Sequence, residues 1–145
     1  MKLQQAVLDS LFLFNQSEDH RLYTLVEFNH YCLFPLLNNK ARLFYDGDRP
    51  VGFVSWAWLT KEEADQFLGE QWLLGEEVHK RPDVVDARYQ LWGIDFITPY
   101  GHSTQVMRKM ISHAHLLYNQ RVKVHWRRLK QPEKIHIKEF RNGRR

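Results

Sequence analysis

Two residues of this chain could handle a proton together, and neither lies where its type is commonest. Asp95 falls inside Arg88-Tyr-Gln-Leu-Trp-Gly-Ile-Asp-Phe-Ile-Thr-Pro-Tyr-Gly101, a run otherwise suited to a strand covered on both faces. A carboxylate withdrawn from water must find a partner, because its desolvation rivals the whole stability margin of a small domain. That partner is either a set of backbone N–H groups or an arginine, or a catalytic group that the acid orients. His20 occupies a short polar connection, Asn15-Gln-Ser-Glu-Asp-His-Arg21, between two helical patterns. A loop histidine is ordinarily just solvated. Its unperturbed pKa near ~6.5 nevertheless makes imidazole the side chain best fitted to move a proton at neutral pH. Ser17, one turn upstream, is a helix cap or a hydroxyl partner.

Other chemistry-bearing residues lead less far. Cys32 is the single cysteine, which excludes a disulfide framework and a cysteine-rich metal site. It lies within a predicted helix and reads as core rather than as a nucleophile. A zinc site from His102, His113 and His115 is disfavoured, since positions i and i+2 of a helix point apart and no acidic or thiolate ligand is near. No metal is expected.

The elements that must position these residues follow in order. Residues 2–15 form an amphipathic helix with Leu3, Val7 and Leu11 at four-residue steps, flanked by Ala6, Leu8 and Phe12. Thr24-Leu-Val-Glu27 is a capping box opening a second helix through Leu25, Phe28 and Leu33, which Pro35 kinks or ends. Asp46-Gly47 marks the turn of a β-hairpin over residues 41–58, and Thr60-Lys-Glu-Glu63 caps a third helix carrying Ala64 and Phe67. Residues 69–87 are irregular, with Trp72 expected to anchor them. In the central strand, strict alternation places Gln90, Trp92, Ile94 and Phe96 on one face and Leu91, Gly93, Asp95 and Ile97 on the other. His102-Ser103 caps a helix whose inner face carries Val106, Met110, His113 or Ala114, and Leu117. Two strands close the chain: Val122, Val124 and Trp126 alternate with basic residues, as do Ile135 and Ile137.

The result is one domain, 1–145, of α+β class, with a mostly antiparallel central sheet flanked by helices. This order of elements is the layout of a GNAT-like N-acyltransferase fold, in which an acyl thioester lies where the fourth strand splays from its neighbour; layout alone does not fix function.

Charge is split along the chain. Residues 1–102 hold nine Lys/Arg against fifteen Asp/Glu, and residues 103–145 hold twelve against two. The last third could meet a polyanion or an acidic protein, or simply be a solvated face. No apolar run approaches the ~18 residues of a membrane span, and the N-terminus lacks the basic region of a signal peptide. Cytoplasmic localisation is the expectation.

Three segments carry a resemblance. Ser17-Glu-Asp-His20-Arg21, Gly52-Phe-Val-Ser-Trp-Ala-Trp-Leu59 and Gly93-Ile-Asp95-Phe-Ile-Thr-Pro-Tyr-Gly101 together resemble the RTX toxin-activating lysine acyltransferases, the hemolysin-activating C proteins. The family pattern is Ser-Pro-x-His, then Phe-x-Ser-Trp-Ala, then Phe-Ile-Asp-Trp-Ile-Ala-Pro-Phe-Gly. The order and similar spacing are kept over most of the chain. Departures are Glu18 for the proline, Phe96 for the second tryptophan, and His102 where an acid is expected.

The resemblance implies an enzyme that moves a fatty acyl group from acyl carrier protein to internal lysines of an RTX protoxin, with His20 and Asp95 as its essential pair and Ser17 as the family serine. His20 is then the general base and Asp95 its orienting acid; a covalent acyl-enzyme on His20 or Ser17 stays open. No cofactor is held tightly, acyl-ACP being a co-substrate. The single glycine of Pro99-Tyr-Gly-His-Ser-Thr104 suits a protein-borne phosphopantetheine better than free coenzyme A. Arg108, Lys109, Arg121, Lys123 and Arg127 are candidate contacts for the acidic carrier. A homodimer is also implied. The rival readings are a basic nucleic-acid-binding module and an acetyl-CoA-dependent small-molecule N-acetyltransferase.

Overall fold

The computed structural model describes residues 2–69, 73–117, 121–128 and 131–140, with the side chains of 114–117 and 140 left aside. Helix α1 (Leu3–Gln16) leads through a loop to α2 (Leu25–Phe28), a π-helical turn (Asn29–Leu33) and α3 (Phe34–Leu37). The hairpin β1 (Ala41–Asp46) and β2 (Arg49–Leu59) follows, then α4 (Lys61–Leu68) and α5 (Glu76–His79). Strand β3 (Gln90–Ile97), helix α6 (Ser103–Leu117), β4 (Val122–Arg128) and β5 (Gln131–Phe140) complete the chain. The expected α+β class holds: the five strands form one sheet in sequential order, antiparallel except between β3 and β4.

Local signals act as the sequence reading anticipates. Both capping boxes form, Thr24 with Glu27 and Thr60 with Glu63, each satisfying a backbone N–H in both directions. The hairpin turns at Gly47, whose φ of 61° a side chain would resist. Pro35 does not end the second helix, which runs on to Leu37. It has no N–H to donate, and the preceding Phe34 N–H reaches back five residues to Asn29 O, so the helix widens by one residue ahead of it.

Both sheet faces are covered. On one, Val106 of α6 packs with Phe44, Val54, Trp56, Trp58 and Leu91, and Met110 joins them. On the other, α1 sets Leu13 and Phe14 against Phe53 and Ile97, while α4 and α5 set Ala64 and Val78 against Ala57, Leu59 and Trp92. Strand β2 is accordingly buried from Val51 to Leu59. His113 of α6 lies against Trp56 at 5.8 Å. The positions foreseen at Ala114 and Leu117, like the anchor foreseen at Trp72, fall outside the described side chains.

Two expectations are overturned. Helix α1 exists, but it buries Ala6, Ser10, Leu13 and Phe14, leaving Leu3, Leu8, Leu11 and Phe12 exposed. Small residues win the inner face because they let the helix approach: Ser10 folds its hydroxyl onto Ala6 O at 2.7 Å. The second concerns β3. Val54 pairs with Phe96 and Trp56 with Gly93, so two steps of β2 oppose three of β3. This bulge at Ile94–Asp95 breaks the alternation. Leu91 faces α6, whereas Trp92, Ile94 and Ile97 face the other helices. Asp95 turns to that same side, towards α1, not to the side of Leu91.

Candidate active site

The site is assembled by the α1–α2 loop and the β3 bulge. Ser17 ends α1, and the loop is wound tightly: His20 N–H and Arg21 N–H both reach Ser17 O, at 3.2 and 2.9 Å, and Tyr23 N–H reaches His20 O at 3.0 Å. The capping box at Thr24 then fixes the exit into α2. These bonds leave His20 and Tyr23 pointing inwards, against Phe14, whose ring meets theirs edge-on at 5.5 and 5.7 Å. Phe14 in turn packs on Phe28 and Phe53, so the sheet itself holds the loop's inner face in place.

Asp95 arrives from the opposite direction. The extra residue of the bulge frees its N–H from the β2 ladder, and the buried Ser55 hydroxyl accepts it at 3.2 Å. His20 Nε2 lies 2.9 Å from Asp95 Oδ1, across 75 residues of sequence. Both side chains are buried, His20 at 5% and Asp95 at 6% exposure. Ser17 Oγ lies 2.6 Å from His20 Nδ1 and is only half-buried. An ionised carboxylate can only accept, so Nε2 carries the hydrogen and Nδ1 presents its lone pair to the serine hydroxyl. The order Ser17–His20–Asp95 is that of a nucleophile–base–acid relay, with the serine as its solvent-facing end.

The three residues expected at the centre are therefore brought together. The basic candidates are dispersed: Arg108 and Lys109 are exposed on α6, and Lys123 is exposed on β4. Arg121 pairs with Glu139 at 3.4 Å. Arg127 is tied down, donating to Leu68 O at 3.0 Å and covering the Phe67 ring at 5.3 Å.

Two site residues escaped the sequence reading, Tyr23 and Ser55. The Tyr23 hydroxyl donates to Asp95 Oδ1 at 3.2 Å. Burial first, and then the Asp95 charge, hold this phenol well above its ordinary pKa, so it remains a donor. Its position three residues beyond His20, the distance that returns to one side of a turn, was the available signal. Burial pushes the Cys32 thiol up to about 12, which keeps it a neutral core group. Among the described residues, no group of three or more His, Cys, Asp or Glu is placed to hold a metal ion. Nor, among them, is any helix long and apolar enough to cross a membrane.

The pairing of β3 with β4 stops short of Asp95. Parallel pairing of β3 with β4 is confined to Leu91–Val124 and Trp92–His125, while β3 continues to Ile97. The Trp92 and His125 rings stack at 5.2 Å where the strands are still joined.

No curated protein matches the chain. The family model of the RTX toxin acyltransferases matches it over residues 3–141, which takes in every element described above. The chain belongs to the RTX toxin acyltransferase family.

Proposed function

We propose that this acyltransferase moves a fatty acyl chain from acyl carrier protein to the ε-amine of internal lysines of an RTX protoxin, with His20 as the base. The observation that carries the reading is the unbroken chain of contacts from Ser17 through His20 to Asp95, at 2.6 and 2.9 Å. A lysine side chain is an ammonium ion at neutral pH, with a pKa near ~10.4, and must lose a proton before it attacks. His20 Nδ1 is the acceptor, reached through the half-buried Ser17, whose hydroxyl bonds to it in this structure. One ammonium proton passes to solvent before attack; the amine nitrogen then bonds to the thioester carbonyl carbon, a second proton passes by way of the Ser17 hydroxyl to Nδ1, and the C–S bond breaks. The thiolate leaves and takes up the proton. Asp95 stabilises the imidazolium meanwhile.

The end of β3–β4 pairing at Trp92 supports a GNAT-like reading, in which the pantetheine arm lies between the two strands beyond that point and backbone N–H groups of β3 meet the developing oxyanion. Exposed Arg108, Lys109 and Lys123 suit an acidic carrier best. Arg121 and Arg127 already have partners within the fold. We place the reaction in the cytoplasm, where acyl carrier protein is found.

The short Ser17–His20 contact favours one second reading, an acyl-enzyme on Ser17. Intact-mass measurement after exposure to acyl-ACP without protoxin separates the two: an added acyl mass that Ser17→Ala abolishes denotes the covalent route. The main test is mass spectrometry of an RTX protoxin co-expressed with this protein. Acylated lysines are expected with the native chain and absent with His20→Ala. Lysine acylation at the native level by His20→Ala refutes the assignment.

A further inference from the structure

The Asp95 carboxylate is used unevenly. Oδ1 receives both His20 Nε2–H at 2.9 Å and the Tyr23 hydroxyl at 3.2 Å, whereas buried Oδ2 has no hydrogen-bond partner among the described residues. Two donors on one oxygen fix the rotation of the carboxylate. They also share its electron density, so a proton-donating phenol there weakens the pull of the acid on the imidazole. Tyr23 is held for this by its ring, 5.2 Å from His20, 5.7 Å from Phe14 and 5.6 Å from Tyr31. Among the described residues, the loop's own Glu18, Asp19 and Arg21 are exposed, and the ionisable groups coupled to this cluster are Glu27 of α2 and Tyr31 and Cys32 of the π-helical turn. Of the coupled groups only Glu27 bears a carboxylate, and it is engaged with Thr24 N–H at 2.8 Å.

We infer that Tyr23 is a positioning residue of the acyl-transfer site: its hydroxyl sets the strength of the Asp95–His20 contact and so the pH at which His20 is free to act as a base. This rests on the proposed role of His20. Removing the hydroxyl returns the full charge of Oδ1 to His20, which favours the imidazolium and leaves less free base at neutral pH.

The test is Tyr23→Phe, which keeps the ring contacts, assayed with acyl-ACP and an RTX protoxin across pH 5–9. Expected are a kcat lower by on the order of tenfold at pH 7, an unchanged KM for the protoxin, and an acid limb displaced to higher pH. Titration of the His20 ring nitrogens by NMR must show the same displacement without reference to activity. Site-specific 3-fluorotyrosine in place of Tyr23, a stronger donor on an intact ring, must move the limb the other way; it also serves if Tyr23→Phe impairs folding. A native profile in Tyr23→Phe, or a uniform loss with the limb unmoved, overturns the inference. Asp95→Asn, run alongside, separates the failures: if it is inactive while Tyr23→Phe is native, Tyr23 alone is misassigned, and if it is fully active the site reading itself falls.

Discussion

Asp95→Asn is expected to separate turnover from stability at one position. The native acid is 6% exposed, accepts from His20 and Tyr23 through Oδ1, and leaves Oδ2 without a partner among the described residues. Asparagine has the same shape, and its amide oxygen can take the place of Oδ1. Each of the two bonds then weakens from charge-assisted, about 1.5–3 kcal/mol, to neutral, about 0.5–1.5 kcal/mol. Against this loss of about 2–3 kcal/mol stands relief from holding a carboxylate out of water, an effect of several kcal/mol per ion. Folding stability should therefore stay within about 2 kcal/mol of native, with either sign. Catalysis has no such offset. In the proposed reaction, the imidazolium formed as the lysine loses its proton would keep no counter-charge, and an amide at this position would no longer enforce the tautomer with Nδ1 as acceptor. The comparable change in a hydrolytic triad lowers kcat by about 10⁴, so a fall of about 10³–10⁴ is expected here. Single-turnover acyl transfer from acyl-ACP, beside urea unfolding of the same sample, measures both quantities. Turnover within tenfold of native in a folded Asp95→Asn protein would refute the argument, because the acid would then be merely structural.

The remaining predictions concern the scaffold. His79 is fully buried, and burial lowers its pKa to about 4, so the unfolded chain, near ~6.5, binds its proton first. Stability is thus fully present above pH ~6.5 and falls by on the order of 3 kcal/mol as pH drops to about 4; His79→Phe should flatten that slope in urea melts at pH 7 and 4.5. Glu63 accepts two bonds from Arg81, at 2.6 and 2.8 Å, and Arg81 also donates to Trp58 O at 2.8 Å. The Arg81 bonds hold the Glu63 carboxyl below its ordinary range, so its contribution is present above pH ~4.3 and lost as pH falls through the lowered value. Glu63→Gln should cost about 1–3 kcal/mol at pH 7 and progressively less below pH ~4, by the same melts. A Cβ on Gly52 would stand 2.8 Å from Val106 Cγ2 of α6. Gly52→Ala should lose about 1–3 kcal/mol, and adding Val106→Ala should lose less than the sum of the two single changes, a coupling readable in a double-mutant cycle.

What the sequence determined by itself was written in short-range chemistry. Thr24–Glu27 and Thr60–Glu63 close their capping boxes within three residues, and the hairpin turns at Gly47, so helix and strand order could be read directly. His20, Asp95 and Ser17 could be singled out by type and by resemblance, since a lone acid in an apolar run asks for a partner wherever the chain goes.

Tertiary packing decided the rest. Helix α1 offers apolar residues on more than one side, and only packing against β2, the π-helical turn and α3 selected the narrow face of Ala6 and Ser10. The direction of Asp95 depended on a one-residue slip against β2, steadied by Ser55 from the neighbouring strand, and no periodicity within β3 announces it. Tyr23 became a partner of Asp95 only once a loop and a strand 72 residues apart met. A period or a cap reports the free energy of one segment with its own neighbours, whereas the aim of a buried carboxylate is settled by groups that come together when the sheet and helices close.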